Sequence, residues 1–331
     1  MDTTEPQAQG GWFRISRGWL LRMAGSSALL ALTLMLLPTD KVASSLGRLD
    51  GGLFAQILVL FLLSHVCAAT KWWFLLSRGL SLLSAIRAHF VGLAANLCLP
   101  GVAGGDVVRA GLVAREVGDH THLVTVSLTD RLVDTLALGL LSVAGLLLFS
   151  EDLLSIVGIE GVSSDTVLIT AGGIVVAGLT AGFAVLPWIA TLLDRTAQKR
   201  GENGGLVAKI ATTVAALATR RRALFVALAA SLAIQFAIVM LAVMLAEGLG
   251  VEAPLAVWLF AWPLAKILAV APISLGGIGV REASLAGLMA PFGADPAGVV
   301  AASLIWQGVL FVTGALGAAA WVISTSVGKR A

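Results

Sequence analysis

Charge is scarce in this chain. Only 12% of its 331 residues are Asp, Glu, Lys or Arg and 58% are hydrophobic, with a mean hydropathy of +0.95, whereas a soluble domain carries about 25% charged residues. So little charge excludes an ordinary soluble globule and points to an integral membrane protein. Cysteine is nearly absent too. Cys67 and Cys98 both lie in apolar segments, which excludes a disulfide framework, a CxxC redox pair and a cysteine metal site. The first apolar run lacks a convincing small-residue cleavage site, so we read it as a retained span and not as a signal peptide. Gly204, Gly205 and Lys209 lack the Walker spacing and the hydroxyl after lysine, which removes a nucleotide site. No cofactor, metal or nucleic-acid partner is expected.

What is present is hydrophobic length. A crossing helix needs about 20 apolar residues, and roughly six runs qualify: 19–37, 53–76, 121–149, 165–187, 223–249 and 296–325. Residues 84–99 and 255–271 are shorter, and each is followed by a Pro/Gly break and a second short helical stretch, 106–118 and 278–291. We read 84–118 and 255–291 as re-entrant hairpins, because broken backbone at membrane depth must be buried in protein or line a wet cavity.

Lysine and arginine accumulate in short cytoplasmic loops, which orients the chain. With the N-terminus inside near Arg14, Arg17 and Arg22, the second connection returns inside with Lys71, Arg78, Arg87, Arg109 and Arg115, and 150–164, which has no basic residue, falls outside. The loop 188–222 then lies inside with seven basic residues, Arg195, Lys199, Arg200, Lys209, Arg220, Arg221 and Arg222, and the chain ends inside with Lys329 and Arg330. Within that loop, Leu206, Val207, Ile210, Val214 and Leu217 share one helical face, as expected of a helix on the inner membrane surface. The segment 38–52 is taken as the first outside loop.

The breaks repeat. Pro100, Gly104, Gly105, Val108 and Arg109 recur as Pro272, Gly276, Gly277, Val280 and Arg281, an offset of 172 residues that also carries predicted spans onto predicted spans. The expected fold is therefore a single all-α integral membrane domain over 1–331, with about six spanning helices and two re-entrant hairpins. It divides into repeat 1 (about 19–149) and repeat 2 (about 165–325). Three full crossings per repeat is an odd number, so the copies are inverted, the architecture of alternating access.

Each break has a chemical reading. Glycine pairs permit backbone conformations closed to other residues, Asp106 is a candidate N-cap, and a new helix N-terminus carries about half a positive charge. Arg109 adds a full one, and the second copy repeats this with Gly279 and Arg281, although Glu282 follows. A phosphate is the natural guest of a helix N-terminus reinforced by arginine. The bland alternative is that the glycines let helices pack closely while the arginines snorkel to the interface.

Other polar residues fill in the candidate site. Asp130 and Asp134 lie one turn apart, and Arg131 is placed for a local ion pair with Asp134; a structural clamp and a substrate contact both fit. Asn96 precedes Pro100 by four residues and is read as satisfying carbonyls freed by the break. Lys266 is a partner for Glu282 or Glu247, or for a lipid headgroup. His65 and His89 each stand alone in apolar surroundings and are read as hydrogen bonders within the bundle, with a proton relay as the alternative; Gln235 and Gln307 are read as interhelical hydrogen bonders.

The runs Asn96–Ala110, Asp130-Arg131-x-x-Asp134 and Pro272-x-Ser274-x-Gly276-Gly277-x-Gly279-x-Arg281-Glu282 together resemble the lysylphosphatidylglycerol synthase transmembrane family, also called flippase-like. The resemblance covers most of the chain. It implies movement of a phosphate-bearing lipid between leaflets of the cytoplasmic membrane, as in the flippase half of the multiple peptide resistance factor, and a lipid with an anionic headgroup as partner. Because the chain ends at Ala331 just after the last predicted span, we expect a standalone member without the aminoacyl-transferase domain, and no enzyme. Two rival classes stay open: a membrane enzyme acting on a lipid-linked substrate, with Asp130, Asp134 or Glu282 as acid or base, and a non-transporting partner of a lipid-synthesis enzyme.

Overall fold

The computed structural model describes residues 39–76, 79–98, 104–148, 219–269 and 277–327, with 27, 31, 32, 35 and 215 as isolated helical positions. The described residues hold nine α-helices and no strand: α1 (Thr39–Leu46), α2 (Gly51–Leu76), α3 (Leu82–Cys98), α4 (Gly104–Val117), α5 (His120–Leu148), α6 (Arg221–Gly248), α7 (Leu255–Leu268), α8 (Val280–Met289) and α9 (Pro296–Val327). Four of them, α2, α5, α6 and α9, are long and apolar enough to cross a membrane, and they coincide with predicted runs. The predicted spans 19–37 and 165–187, and nearly all of the loop 188–222 with its surface helix, lie outside the described residues.

Helix starts follow local chemistry. Asp50 Oδ2 accepts the Leu53 N–H at 2.7 Å ahead of α2, Ser81 Oγ the Ser84 N–H at 3.0 Å ahead of α3, Asp119 Oδ1 the His122 N–H at 3.0 Å ahead of α5, and Asp295 Oδ2 the Gly298 N–H at 3.1 Å ahead of α9. Each satisfies a donor that has no partner within its own helix. Helix α1 departs from the expected loop at 38–52. Val42 turns into α9 against Ala297 and Ala301, so a short, weakly apolar stretch is helical because tertiary packing covers it.

Helices α3 and α4 form a hairpin. Asn96 meets Gly105, Gly92 meets Arg109, and Gly79 faces Glu116, so the second helix runs back along the first. A methyl group on Gly92 would come within 2.7 Å of the Gly105 carbonyl oxygen, which is closer than any Cβ approaches. Glycine is required there by contact between backbones. Helices α7 and α8 also pack together, after a turn in which Gly277 and Gly279 hold φ of +82° and +85°, the left-handed region that favours glycine. At 17, 14, 14 and 10 residues, all four hairpin helices are shorter than the ~20 residues of a crossing.

Each hairpin leans on the long helix that follows the other one. Gly317 in α9 lies against Phe90 of α3, and Gly145 in α5 lies against Ala256, Leu259 and Phe260 of α7. These two glycines are 172 residues apart, the same offset as Pro100 and Pro272. Ser142 adds a bond across the second contact, donating to the Phe260 carbonyl at 2.8 Å. The largest apolar core sits around α6, α7 and α9, with Trp258, Trp262 and Trp306 among its members; a second gathers Trp72, Leu75, Leu76 and Val113 under the first hairpin.

Candidate functional site

The first hairpin delivers its arginine to the interior. Gly105 donates its N–H to Asn96 Oδ1 at 2.7 Å, so Asn96 caps an amide of the new helix; the carbonyls of the break at 99–103, which it was expected to serve, lie outside the described residues. Asp106 is the third residue of α4 and not its N-cap; its carboxylate turns sideways to charges. Arg109, one turn further and 3% exposed, reaches Asp130 Oδ2 at 3.3 Å, Asp106 Oδ1 at 3.4 Å and His89 Nδ1 at 3.3 Å. Its guanidinium carbon lies 4.3 Å from the centre of the Trp72 ring, within cation–π range. Arg109 Nε is buried with no acceptor among the described residues.

Around this arginine the charges close on one another. Arg131 grips Asp106 through two bonds, at 2.5 and 2.7 Å, and its expected local pair with Asp134 does not form. Asp134 bonds instead to Lys71, whose Nζ is also 2.9 Å from Asp130 Oδ1 and donates to Ser231 Oγ at 2.8 Å. Ser231 donates onward to Asp134 at 2.8 Å. The cluster thus joins α2, α4, α5 and α6, and its three cations, Lys71, Arg109 and Arg131, meet three carboxylates, Asp106, Asp130 and Asp134. An ion removed from water costs several kcal/mol unless it is paired, which is why the first break neutralises itself instead of standing as an open anion trap.

Lys71 changes the orientation reading as well. It was counted among the basic residues of a cytoplasmic connection, yet it lies within α2 and is 5% exposed. Arg109 is equally interior. Neither belongs in a count of loop charges, and the arrangement of the termini rests on the others.

The second hairpin repeats the arginine with different partners. Arg281 Nη2 bonds to Glu282 Oε1 at 2.8 Å, to the Ser303 carbonyl at 3.0 Å and to Gln307 Oε1 at 3.1 Å, while Nε donates to Ser303 Oγ at 3.1 Å. Glu282 reaches back to take the Gly279 N–H at 2.6 Å, capping α8. Both arginines therefore tie the second helix of their hairpin to the next long helix, Arg109 to α5 and Arg281 to α9.

One cation stands apart. Lys266 in α7 donates to Gln235 Oε1 at 2.9 Å and has no carboxylate partner among the described residues; neither Glu282 nor Glu247 pairs with it. The helix carrying it contains Pro263, which withdraws an N–H from the helical ladder, and it ends just before the second break. Pro100, Pro272 and Gly276 lie outside the described residues; Gly104 begins α4.

Residues 19–317 match a family described as the lysylphosphatidylglycerol synthase TM region. The chain belongs to that family. A comparison with curated proteins gave no match. The match spans both hairpins, α2, α5, α6 and α9 as far as residue 317 of this lysylphosphatidylglycerol synthase TM region, so the buried charges described above lie within the family-matched body of the protein.

Several members of the cluster escaped sequence reading. Lys71 carried a signal, an ionisable residue near the end of an apolar run, which marks function or pairing by default. Ser231 and Ser303 carried none, since serine is unremarkable in a membrane helix. The histidines looked isolated but meet: His65 Nδ1 is 3.0 Å from His89 Nε2. Gln235 and Gln307 hydrogen-bond between helices as expected, to α7 and α8.

Proposed function

We propose that the protein is a lipid translocase of the cytoplasmic membrane, moving a phosphate-bearing lipid between leaflets while the tails stay in hydrocarbon. Membership of a lipid-related membrane family supports this reading, and one observation carries it: Lys266 is an interior cation bonded to a neutral amide and, among the described residues, to no carboxylate. An ammonium has three donors, and this one engages a single acceptor among the described residues, so its charge and remaining N–H groups are available to a headgroup phosphate. In the same reading the two hairpins dip into the membrane from opposite faces as inverted copies, with Gly145 and Gly317 as their reciprocal bearings. Arg109 and Arg281 anchor the hairpins. Arg131, 43% exposed at its side chain, and Asp106 line the approach from the inner side, and Asp130 and Asp134 hold Lys71 in place.

The test is reconstitution of the protein alone in liposomes with a fluorescent phospholipid whose outer-leaflet population is bleached chemically. A hydrogen bond to a charged group is worth about 1.5–3 kcal/mol, so Lys266→Met slows movement about 10- to 100-fold. Its stability does not fall, because the substitution removes an unpaired buried charge. Wild-type rates in Lys266→Met overturn the assignment; conversion of a lipid by the protein in detergent, where no leaflets exist, replaces transport with an enzymatic reading.

A further inference from the structure

The histidine pair and Arg109 form a chain whose proton positions are forced. Arginine has five N–H donors and no acceptor. Its contact with His89 Nδ1 at 3.3 Å therefore requires a bare lone pair on that nitrogen, and a neutral His89 must carry its proton on Nε2. That proton faces His65 Nδ1 at 3.0 Å, so His65 is the acceptor and carries its own proton on Nε2. Every bond points away from the arginine. No other arrangement of neutral rings satisfies both contacts.

From this geometry we infer that His89 and His65 are a proton-binding site coupled to lipid movement, in which an arriving proton and the Arg109 guanidinium compete for one lone pair, His89 Nδ1. The coupling rests on the translocase reading; the competition itself does not. A proton taken from water onto Nδ1 turns that acceptor into a donor and places an imidazolium against a guanidinium. Two donors and two positive charges cannot share the contact, so Arg109 leaves its seat. Its hold on Asp130 is then disturbed, and with it the tie between the first hairpin and α5. Among the described residues the seat is incompletely satisfied, since Arg109 Nε has no acceptor there. Loss of the proton to the opposite side restores the seat, which gives a cycle with one proton per movement of the hairpin.

The charged groups around the pair come from every neighbouring element that has any. They are Lys71 on α2, Arg109 with Asp106 beside it on α4, Asp130, Arg131 and Asp134 on α5, and Lys266 on α7. Helix α9, which packs against α3, contributes no titratable residue between Pro296 and Val322. Helix α4 is thus the only packed neighbour that places a guanidinium directly on His89 among the described residues.

The chain has four histidines, so a His120→Gln/His122→Gln background leaves only the pair visible by nitrogen NMR of histidine- and arginine-labelled protein in nanodiscs. Near neutral pH both rings are expected with Nε2 protonated and Nδ1 bare, and on acidification the imidazolium signal grows together with a shift of the Arg109 side-chain nitrogens. A His89 carrying its proton on Nδ1 at neutral pH, or an imidazolium that forms while the arginine signals stay still, overturns the competition. In proteoliposomes containing a pH dye and the fluorescent phospholipid, one proton per lipid lets a pH difference of one unit hold about a tenfold leaflet imbalance. His89→Gln, whose amide can still accept from Arg109 and donate to His65, abolishes that imbalance and the accompanying proton flux. Lipid movement indifferent to the gradient refutes coupling, while absence of any lipid movement refutes the translocase reading and leaves the ring protons to decide the competition.

Discussion

Removing the charge of Glu282 while keeping its volume is the sharpest probe of how the second hairpin is held. Glu282 is 0% exposed and accepts from Gly279 N at 2.6 Å, Arg281 Nη2 at 2.8 Å and Ser303 Oγ at 3.1 Å. In Glu282→Gln the new amide nitrogen must face another donor, and Arg281 keeps only neutral acceptors, the Ser303 carbonyl and hydroxyl and Gln307 Oε1. Breaking a buried pair costs about 3–5 kcal/mol, and the surviving acceptors place this variant near 3 kcal/mol at the low end of that range. Arg281→Met leaves the opposite charge unpaired, although still capped by Gly279 and Ser303, and costs about the same. The double variant buries no charge and loses no more than about 2 kcal/mol, so the two substitutions are coupled by at least about 4 kcal/mol. The nine tryptophans of the chain report unfolding in mixed micelles as denaturing detergent is titrated in. If the single losses simply add, the ion pair is not what ties α8 to α9. If the double variant folds but moves no lipid, Arg281 touches substrate, and its role as an anchor falls.

Two further outcomes follow from backbone contacts. Gly145→Leu drives a side chain into the α7 backbone and destabilises the protein by at least about 1–3 kcal/mol. Gly139→Ala on the same helix, where an added Cβ meets nothing within 4 Å, is neutral or stabilises by up to about 1 kcal/mol; equal melting shifts for the two would refute close packing at Gly145. Asn96→Ala uncovers the Gly105 N–H and costs about 0.5–2 kcal/mol, and hydrogen exchange at Gly105 accelerates while exchange in α5 is unchanged. Slow exchange at Gly105 in that variant would show that another acceptor caps α4.

How far the sequence reaches depends on the range of the interaction that decides each feature. The long helices and short hairpin helices were legible because their causes are local: the length of an apolar run against the thickness of a bilayer, and the inability of Pro and Gly pairs to continue a helix. Helix α1 was not, since Thr39–Leu46 is helical by virtue of Val42 resting on Ala297 and Ala301, more than 200 residues away in the chain. The 172-residue spacing of the two breaks was readable, but the packing of each hairpin on the long helix that follows the other was not, because a glycine such as Gly145 looks the same whether it faces lipid or the backbone of α7.

By itself the sequence determined that this protein lives in a membrane, where its helices run and where they break, all consequences of hydrophobic length and backbone sterics. Tertiary structure decided which charges neutralise one another. Asp134 went to Lys71, 63 residues distant, and not to its helical neighbour Arg131; Arg109 took Asp130, and Lys266 was left with an amide. In a medium of low dielectric an ion's worth is set by what lies within a few ångströms of it, and that distance exists only in the folded chain.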